Sequence, residues 1–235
     1  MKIILFILMI FQFVFPNHIY KEIRINNNEL ENLGQLQMLG IDVDHIYHGV
    51  DFFQFAINEY DISKLIINNI NFEIIHQNLE EFYQSRLIQN YNDGRDFEYG
   101  SMGGYYTFSE IEDNLDELTD MYPEIISSKV SIGQTLEGRN IWLIKVSDNP
   151  NVDEDEPEAL YTGLHHAREP MSYMNLFYFM HWLGENYEVN PLATHLVNNR
   201  ELWFIPAINP DGLVYNQSIA PNGGGMQRKN IRETC

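Results

Sequence analysis

His166 and Glu169 are the chemically suggestive residues in the stretch YTGLHHAREPMSYMN at 161–175. An imidazole nitrogen and a carboxylate oxygen are both good zinc donors. The pair flanks a strand-to-helix entry. An apolar run ends at the histidines, and Glu169-Pro170 marks a first helical turn, where proline is tolerated. A spacing of three across such an entry can aim both groups at one point. His165 and Glu169 are four apart and could instead share a helical face. Strand alternation through Leu164, His165 and His166 sends the two imidazoles to opposite sides, so only one reaches the site easily. A catalytic zinc usually has three protein ligands and one open position, so a third donor must come from elsewhere. The competing interpretation is an ordinary polar cluster, a carboxylate at a helix N-terminus beside an imidazole.

Two arginines extend the pattern. Arg168 lies between the two donors, where a guanidinium can clamp a substrate carboxylate or simply neutralise acidic neighbours. Downstream, GGGMQRKNIR places Arg228, Lys229 and Arg232 after a glycine-rich turn, the densest basic patch in the chain. A cation there could stabilise an oxyanion, or the segment could dock as a basic tail on an acidic surface.

That surface is strongly acidic. With 34 Asp and Glu against 14 Lys and Arg, the 235 residues carry a formal net charge of −20, which repels phosphate backbones and argues against nucleic-acid binding. One run, DEDEPE at 153–158, reads as a solvated loop; calcium binding is the alternative, and no EF-hand spacing supports it. The first residues, MKIILFILMIFQFVFPN, place one lysine before an apolar run. The run suits a secretory leader, expected at 1–16, and is short for a membrane span. The usual small residues of a cleavage site are missing, so an uncleaved anchor is the alternative. The lone cysteine, Cys235, excludes an internal disulfide.

The elements that must position these residues fall into two sets. From residue 17 to 88 a small α+β unit is expected. YKEIRI and NFEIIHQN read as strands, and HIYHGVDFFQFAIN as strands turning at Gly49. Helices are expected in NNNELENLGQLQMLG, DISKLIINNI and LEEFYQSRL, with Gly40 closing the first. A polar, glycine-bearing linker spans 89–104. Beyond it, Ile111, Leu115 and Leu118 define a helix face, with Thr107 or Ser109 as cap and Pro123 as stop. Two strands flank the Leu-Glu-Gly turn at 136–138, and EALYTGLHH reads as a buried strand. EPMSYMNLFYFMHWLGENY, apolar nearly all round, reads as a core helix, PLATHLVNN as a shorter one and ELWFIPAIN as a strand running into an NPDG turn. This alternation gives an α/β sheet layered with helices.

GLHHARE, NPDG and QRKN, in this order, resemble the zinc metallocarboxypeptidases of the carboxypeptidase A/B type, over residues 105–235. The resemblance implies an incomplete mixed-sheet α/β/α carboxypeptidase-like domain preceded by a propeptide-like α+β domain. It implies one Zn²⁺ with His166 and Glu169 as ligands, Arg168 as an auxiliary substrate-binding residue and Arg228 as the catalytic group polarising the scissile carbonyl. Peptide or protein C-termini are the implied substrates. Secretion is expected, without stable membrane association after leader removal.

Family members continue past this region into an Asn-Arg pair that grips the substrate carboxylate, a third zinc-binding histidine, a substrate-contacting tyrosine and a glutamate base. His181 and His195 stand at the wrong places to substitute. The chain therefore reads as the leading portion of a longer enzyme, with negligible hydrolysis and weak zinc binding expected of it alone. A secreted, non-catalytic peptide-binding or inhibitory protein is the alternative.

Overall fold

The computed structural model describes residues 19–30, 33–41, 43, 45–86 and 98–232. The expected leader, most of the expected linker and Cys235 lie outside these residues. Packing divides the chain between Ile75 and His76.

The first unit is built on a four-stranded sheet. Its strands are β1 (Tyr20–Asn26), β2 (Tyr47–His48), β3 (Phe52–Asn58) and β4 (Glu73–His76), in the order β2-β3-β1-β4. Alternation in YKEIRI buries Ile23 and Ile25, which pack with Phe55 and Ile57 of the antiparallel β3. Two helices belong with this sheet, α1 (Gly34–Met38) and α2 (Glu59–Ile67). Helix α1 is shorter than its leucine spacing suggests. Of its residues Leu36 is buried, and the left-handed Gly40, at φ +66°, turns the chain away. Asn58 caps α2 by accepting from the Asp61 amide at 2.8 Å.

The second unit contains α3 (Leu79–Gln84), α4 (Phe108–Met121), β5 (Val130–Gln134), β6 (Asn140–Val146), β7 (Glu158–Thr162), α5 (Met171–Asn186), α6 (Pro191–Val197), β8 (Glu201–Ile205) and α7 (Pro210–Ile219). Helix α3 is grouped with this unit; its Gln84 Nε2 donates to the Gly223 carbonyl at 3.2 Å, and its Phe82 stacks on His76. The sheet order is β5-β6-β8-β7, with β7 and β8 parallel and the other pairs antiparallel. It is a mixed sheet, as expected for the α/β/α domain. Strand β8 is its most buried member, and Lys145 of β6 meets Glu201 of β8 at 2.7 Å in a fully buried ion pair.

Three elements differ from their sequence reading. Strand β7 lies at a sheet edge rather than in the interior, with Leu160 exposed. Helix α5 buries Tyr173, Met174, Phe177, Met180 and Leu183 but exposes Met171 and Tyr178, so its apolar character does not mean burial on all sides. NPDG opens a helix instead of forming a turn. Asn209 caps α7 by accepting from the Gly212 amide at 3.1 Å, and Pro210 takes the first helical position, where its missing N–H costs nothing. Among the described residues no helix is long and apolar enough to cross a membrane.

Helix α4 anchors the unit's core. Its face of Ile111, Leu115 and Leu118 packs with Phe177 and Met180 of α5, and the Tyr173 hydroxyl donates to the Tyr106 carbonyl at 2.6 Å. Its start is a capping box. The Glu110 amide donates to Thr107 Oγ1, and Glu110 Oε2 accepts from the Thr107 amide at 2.7 Å. Partial burial alone would raise the Glu110 pKa, but hydrogen bonds from Thr107 and Ser101 outweigh it and hold the carboxyl below its usual value. A depressed folded-state pKa gives stability that is present above the unfolded value and lost as pH falls through the folded one. Glu110→Gln should therefore destabilise the chain by about 1 kcal/mol at neutral pH. Urea unfolding repeated at falling pH checks this: the gap between the two proteins should close below the ordinary glutamate range.

Candidate metal centre

The parallel pairing of β7 and β8 aligns Thr162 with Ile205, so the segments leaving both strands emerge at the same end of the sheet. Carboxyl ends of parallel strands are the usual place for sites in open α/β sheets. The Gly163 amide donates to the Ile205 carbonyl at 3.0 Å. A Cβ on Gly163 would stand 2.7 Å from the Pro206 carbonyl oxygen, so no other residue fits without displacing backbone. Leu164 follows at φ +52°, a left-handed conformation that a leucine adopts at a cost of about 1–2 kcal/mol. It is held there by complete burial, by its amide donating to Ser172 Oγ at 2.8 Å and by its carbonyl accepting from the Asn209 amide at 3.1 Å.

This reversal presents residues 165–169 just before α5. His166 Nδ1 lies 2.8 Å from Glu169 Oε1, with side chains 32% and 34% exposed. His165 is exposed, and its Nε2 reaches Thr162 Oγ1 at 3.4 Å. Of the two spacings the sequence leaves open, the His166–Glu169 pair is the one brought together. The donor set suits zinc. Bonds of about 2.0–2.2 Å in a tetrahedral site place neighbouring donors roughly 3.3 Å apart, and half-exposed side chains can open to that separation. Arg168 belongs to the same turn.

The main chain of Arg228 is locked against this turn. Its carbonyl accepts from the Ala167 amide at 2.8 Å, between the two donor residues in sequence. Asn216 of α7 holds the two segments together. Its Nδ2 donates to the Ala167 carbonyl at 3.0 Å and to the Gln227 carbonyl at 2.9 Å, while its Oδ1 accepts from the Gln227 amide at 2.8 Å. Glycines permit this closeness: a Cβ on Gly212 would meet the Ala167 Cβ at 2.6 Å, and one on Gly225 the Asn216 Oδ1 at 2.6 Å. Asp211 ties the start of α7 to the β5–β6 turn by accepting from Thr135 Oγ1 and Arg139 Nη1, each at 2.7 Å.

Asn209, Asp211 and Asn216 are therefore positioning residues absent from the sequence reading. NPDG signalled Asn209 and Asp211 but was read as a turn, and a single asparagine inside a helix gives no signal at all. Lys229 is exposed, and its carbonyl accepts from Gln227 Nε2; the Arg232 amide donates to Asn230 Oδ1. The other histidines considered are placed elsewhere. His181 of α5 lies edge-on to Tyr122, and burial holds its pKa below the usual imidazole value against the opposing pull of Glu185 and Glu117. His195 pairs with Asn199 at the end of α6.

A family model described as zinc carboxypeptidase matches residues 111–235, a span that includes the whole of this turn and its supports. The chain belongs to the zinc carboxypeptidase family. It is 38% identical over 127 residues to a zinc carboxypeptidase of Saccharothrix mutabilis subsp. capreolus, covering 54% of this chain and 29% of that one. To carboxypeptidase A2 of Mus musculus it is 27% identical over 157 residues, covering 66% of this chain and 36% of the mouse protein. The match thus spans only about a third of these relatives' length. The crystal structure of a carboxypeptidase A from Helicoverpa armigera superposes with a TM-score of 0.66 at 19% identity, over 93% of this chain and 54% of that one. At that identity it supports the fold alone.

Asn216→Ala would leave two carbonyls and one amide without their partner, each costing about 1–3 kcal/mol if it stays buried. The substitution should lower the melting temperature and, more tellingly, speed hydrogen exchange at the Ala167 and Gln227 amides while leaving the first unit's amides unchanged. Protection equal to that of the unaltered chain at both amides would show that Asn216 does not clamp these segments.

Proposed function

We propose that this chain forms the leading part of a metallocarboxypeptidase that removes C-terminal residues from peptides, with His166 and Glu169 as two ligands of one zinc ion. The observation that carries the reading is the approach of His166 Nδ1 to Glu169 Oε1, 2.8 Å, on a turn whose backbone is fixed from four sides. Membership of a family described as zinc carboxypeptidase supports the metal and a peptide substrate.

When bound, zinc supplies Lewis acidity toward water and a carbonyl. The chain's own residues orient the reaction. Pairing to β8 and the Ser172 bond to the Leu164 amide hold His166 and Glu169 in place before the metal arrives, so little ordering is left to be done on binding. Arg168, in the same turn, has the planar fork suited to a carboxylate, and a free chain end is the peptide group that supplies one. Arg228 donates to the substrate carbonyl oxygen as charge grows on it. Its backbone bond to Ala167 keeps it in step with the ligand turn. Export from the cell, with residues 17–88 as an activation segment, belongs to the same proposal; the apolar run after Lys2 and the expected linker support it.

Zinc binding tests the ligand assignment directly. In competition with a chromophoric chelator, His166→Ala and Glu169→Ala should each weaken zinc binding at least about tenfold, with circular dichroism unchanged. Unaltered affinity in both variants would remove the metal assignment. In the enzyme expressed at full length, Arg228→Ala should lower kcat on N-blocked dipeptides by roughly 10²–10³ with little change in KM. Amidating the substrate's C-terminus should abolish cleavage; equal rates on amidated and free peptides would exclude an exopeptidase.

A further inference from the structure

Asn216-Gln217-Ser218 is the one Asn-x-Ser/Thr acceptor for N-linked sugar in the chain. In an exported protein such a triplet belongs on a surface loop, because the glycan is bulky and must stand in solvent. Here it does not. Asn216 lies inside α7 and is only 3% exposed. Its amide is the clamp that joins the Ala167 and Gln227 segments.

Each polar atom of that amide is committed. Nδ2 donates to the Ala167 carbonyl at 3.0 Å and to the Gln227 carbonyl at 2.9 Å, and Oδ1 accepts from the Gln227 amide at 2.8 Å. Glycan transfer would form a bond from Nδ2 to C1 of the first sugar. It would break the bond from that carbon to the diphosphate of a lipid-linked oligosaccharide, releasing the lipid diphosphate and one amide proton. A single N–H would then remain for two carbonyls, and a buried carbonyl would lose its donor. The sugar would also need space that is already filled. A Cβ on Gly225 would stand 2.6 Å from Asn216 Oδ1, so even a methyl group does not fit beside this side chain. The glycan and the clamp exclude each other.

Chain order gives the transfer its opportunity. Ala167 precedes Asn216 by forty-nine residues, but Gln227 follows it by eleven. During synthesis the acceptor therefore emerges before the clamp can close. It stays open until Gln227 arrives and α7 packs.

We propose that Asn216 accepts a glycan in the unfolded chain alone, so that modification and folding compete for one amide nitrogen. Folding first leaves Asn216 bare. Transfer first gives a chain whose ligand turn cannot be clamped. The inference rests on the export proposed above, because only a secretory compartment supplies the lipid-linked oligosaccharide. Ser218, which completes the triplet, is exposed, and its hydroxyl donates to the Tyr215 carbonyl at 2.7 Å, away from the clamp.

The test expresses the full chain behind an established secretory leader in a glycosylating eukaryotic host. Delivery then does not depend on the chain's own first residues. In a parallel expression without the added leader, failure to be exported counts against the export proposal alone. Peptide mass spectrometry should find Asn216 bare in folded, protease-resistant protein and glycosylated in the retained, protease-sensitive fraction. Ser218→Ala should abolish the modified fraction and raise the folded yield by about the share that was modified. Ser218→Thr, a stronger acceptor, should move the yield the other way. In a bacterial host without the transferase all three chains should fold in equal yield, which a structural effect of position 218 would not give. Folded chain carrying a glycan at Asn216 with the Ala167 and Gln227 amides still protected from exchange would overturn the proposal. So would absence of the glycan from every fraction, or yields that neither variant moves.

Discussion

The second unit depends on the five-residue parallel pairing of β7 with β8. Its register, Glu158 beside Glu201 at one end and Thr162 beside Ile205 at the other, decides what each end of the strands can do. Parallel neighbours require a crossover, here provided by α5 and α6, and the two segments leaving the carboxyl ends are thereby brought together. A slip of one residue would turn Tyr161, now stacked on Phe204, to the other face and would carry Gly163 away from the Pro206 carbonyl. The turn bearing His166 could not then form as it does. Its geometry is inherited from the sheet rather than from local preference.

Local preference in fact opposes it. Leu164 occupies a left-handed conformation, and several backbones pass closer than side chains would permit. Three side chains replace the missing slack: Asn209 at the start of α7, Asn216 about two turns later, and the Asp211 carboxylate reaching back to the β5–β6 turn. Hydrogen bonds of this kind contribute about 1 kcal/mol each in net terms, but leaving a buried partner unmade costs more. The arrangement is therefore stiff, since any displacement of the segment at 227–228 breaks several bonds together. A strained turn held by surrounding bonds is the form in which catalytic geometry is commonly stored.

What was legible in the sequence follows from the range of the forces involved. Helix caps and period-two strands are local, so Gly40 and the alternation in YKEIRI could be read directly, and Thr107 was one of two candidate caps. His166 and Glu169 were legible because their spacing is local too. Periodicity alone leaves the choice between His165 and His166 open; beyond the turn at Leu164 it is His166 that lies beside Glu169. Edge position is a property of the whole sheet, so β7 reads as buried from composition and is not. Asn216 acts across eleven and forty-nine residues of sequence, beyond the reach of any motif. The acidic run at 153–158 could be read as charge, but the burial of Glu201, forty-three residues on from Glu158, was invisible without the β7–β8 register.

The two ends of β7 thus carry opposite electrostatic problems. At one, an imidazole nitrogen and a single carboxylate converge. At the other, two triads of carboxylates gather, and one of their members, the buried Glu201, is engaged by Lys145. Five residues of strand separate them by about 16 Å, roughly two Debye lengths at physiological ionic strength. Charge at one end is therefore largely screened from the other where solvent intervenes. Any coupling between them must be mechanical, carried by the register and rigidity of the strand.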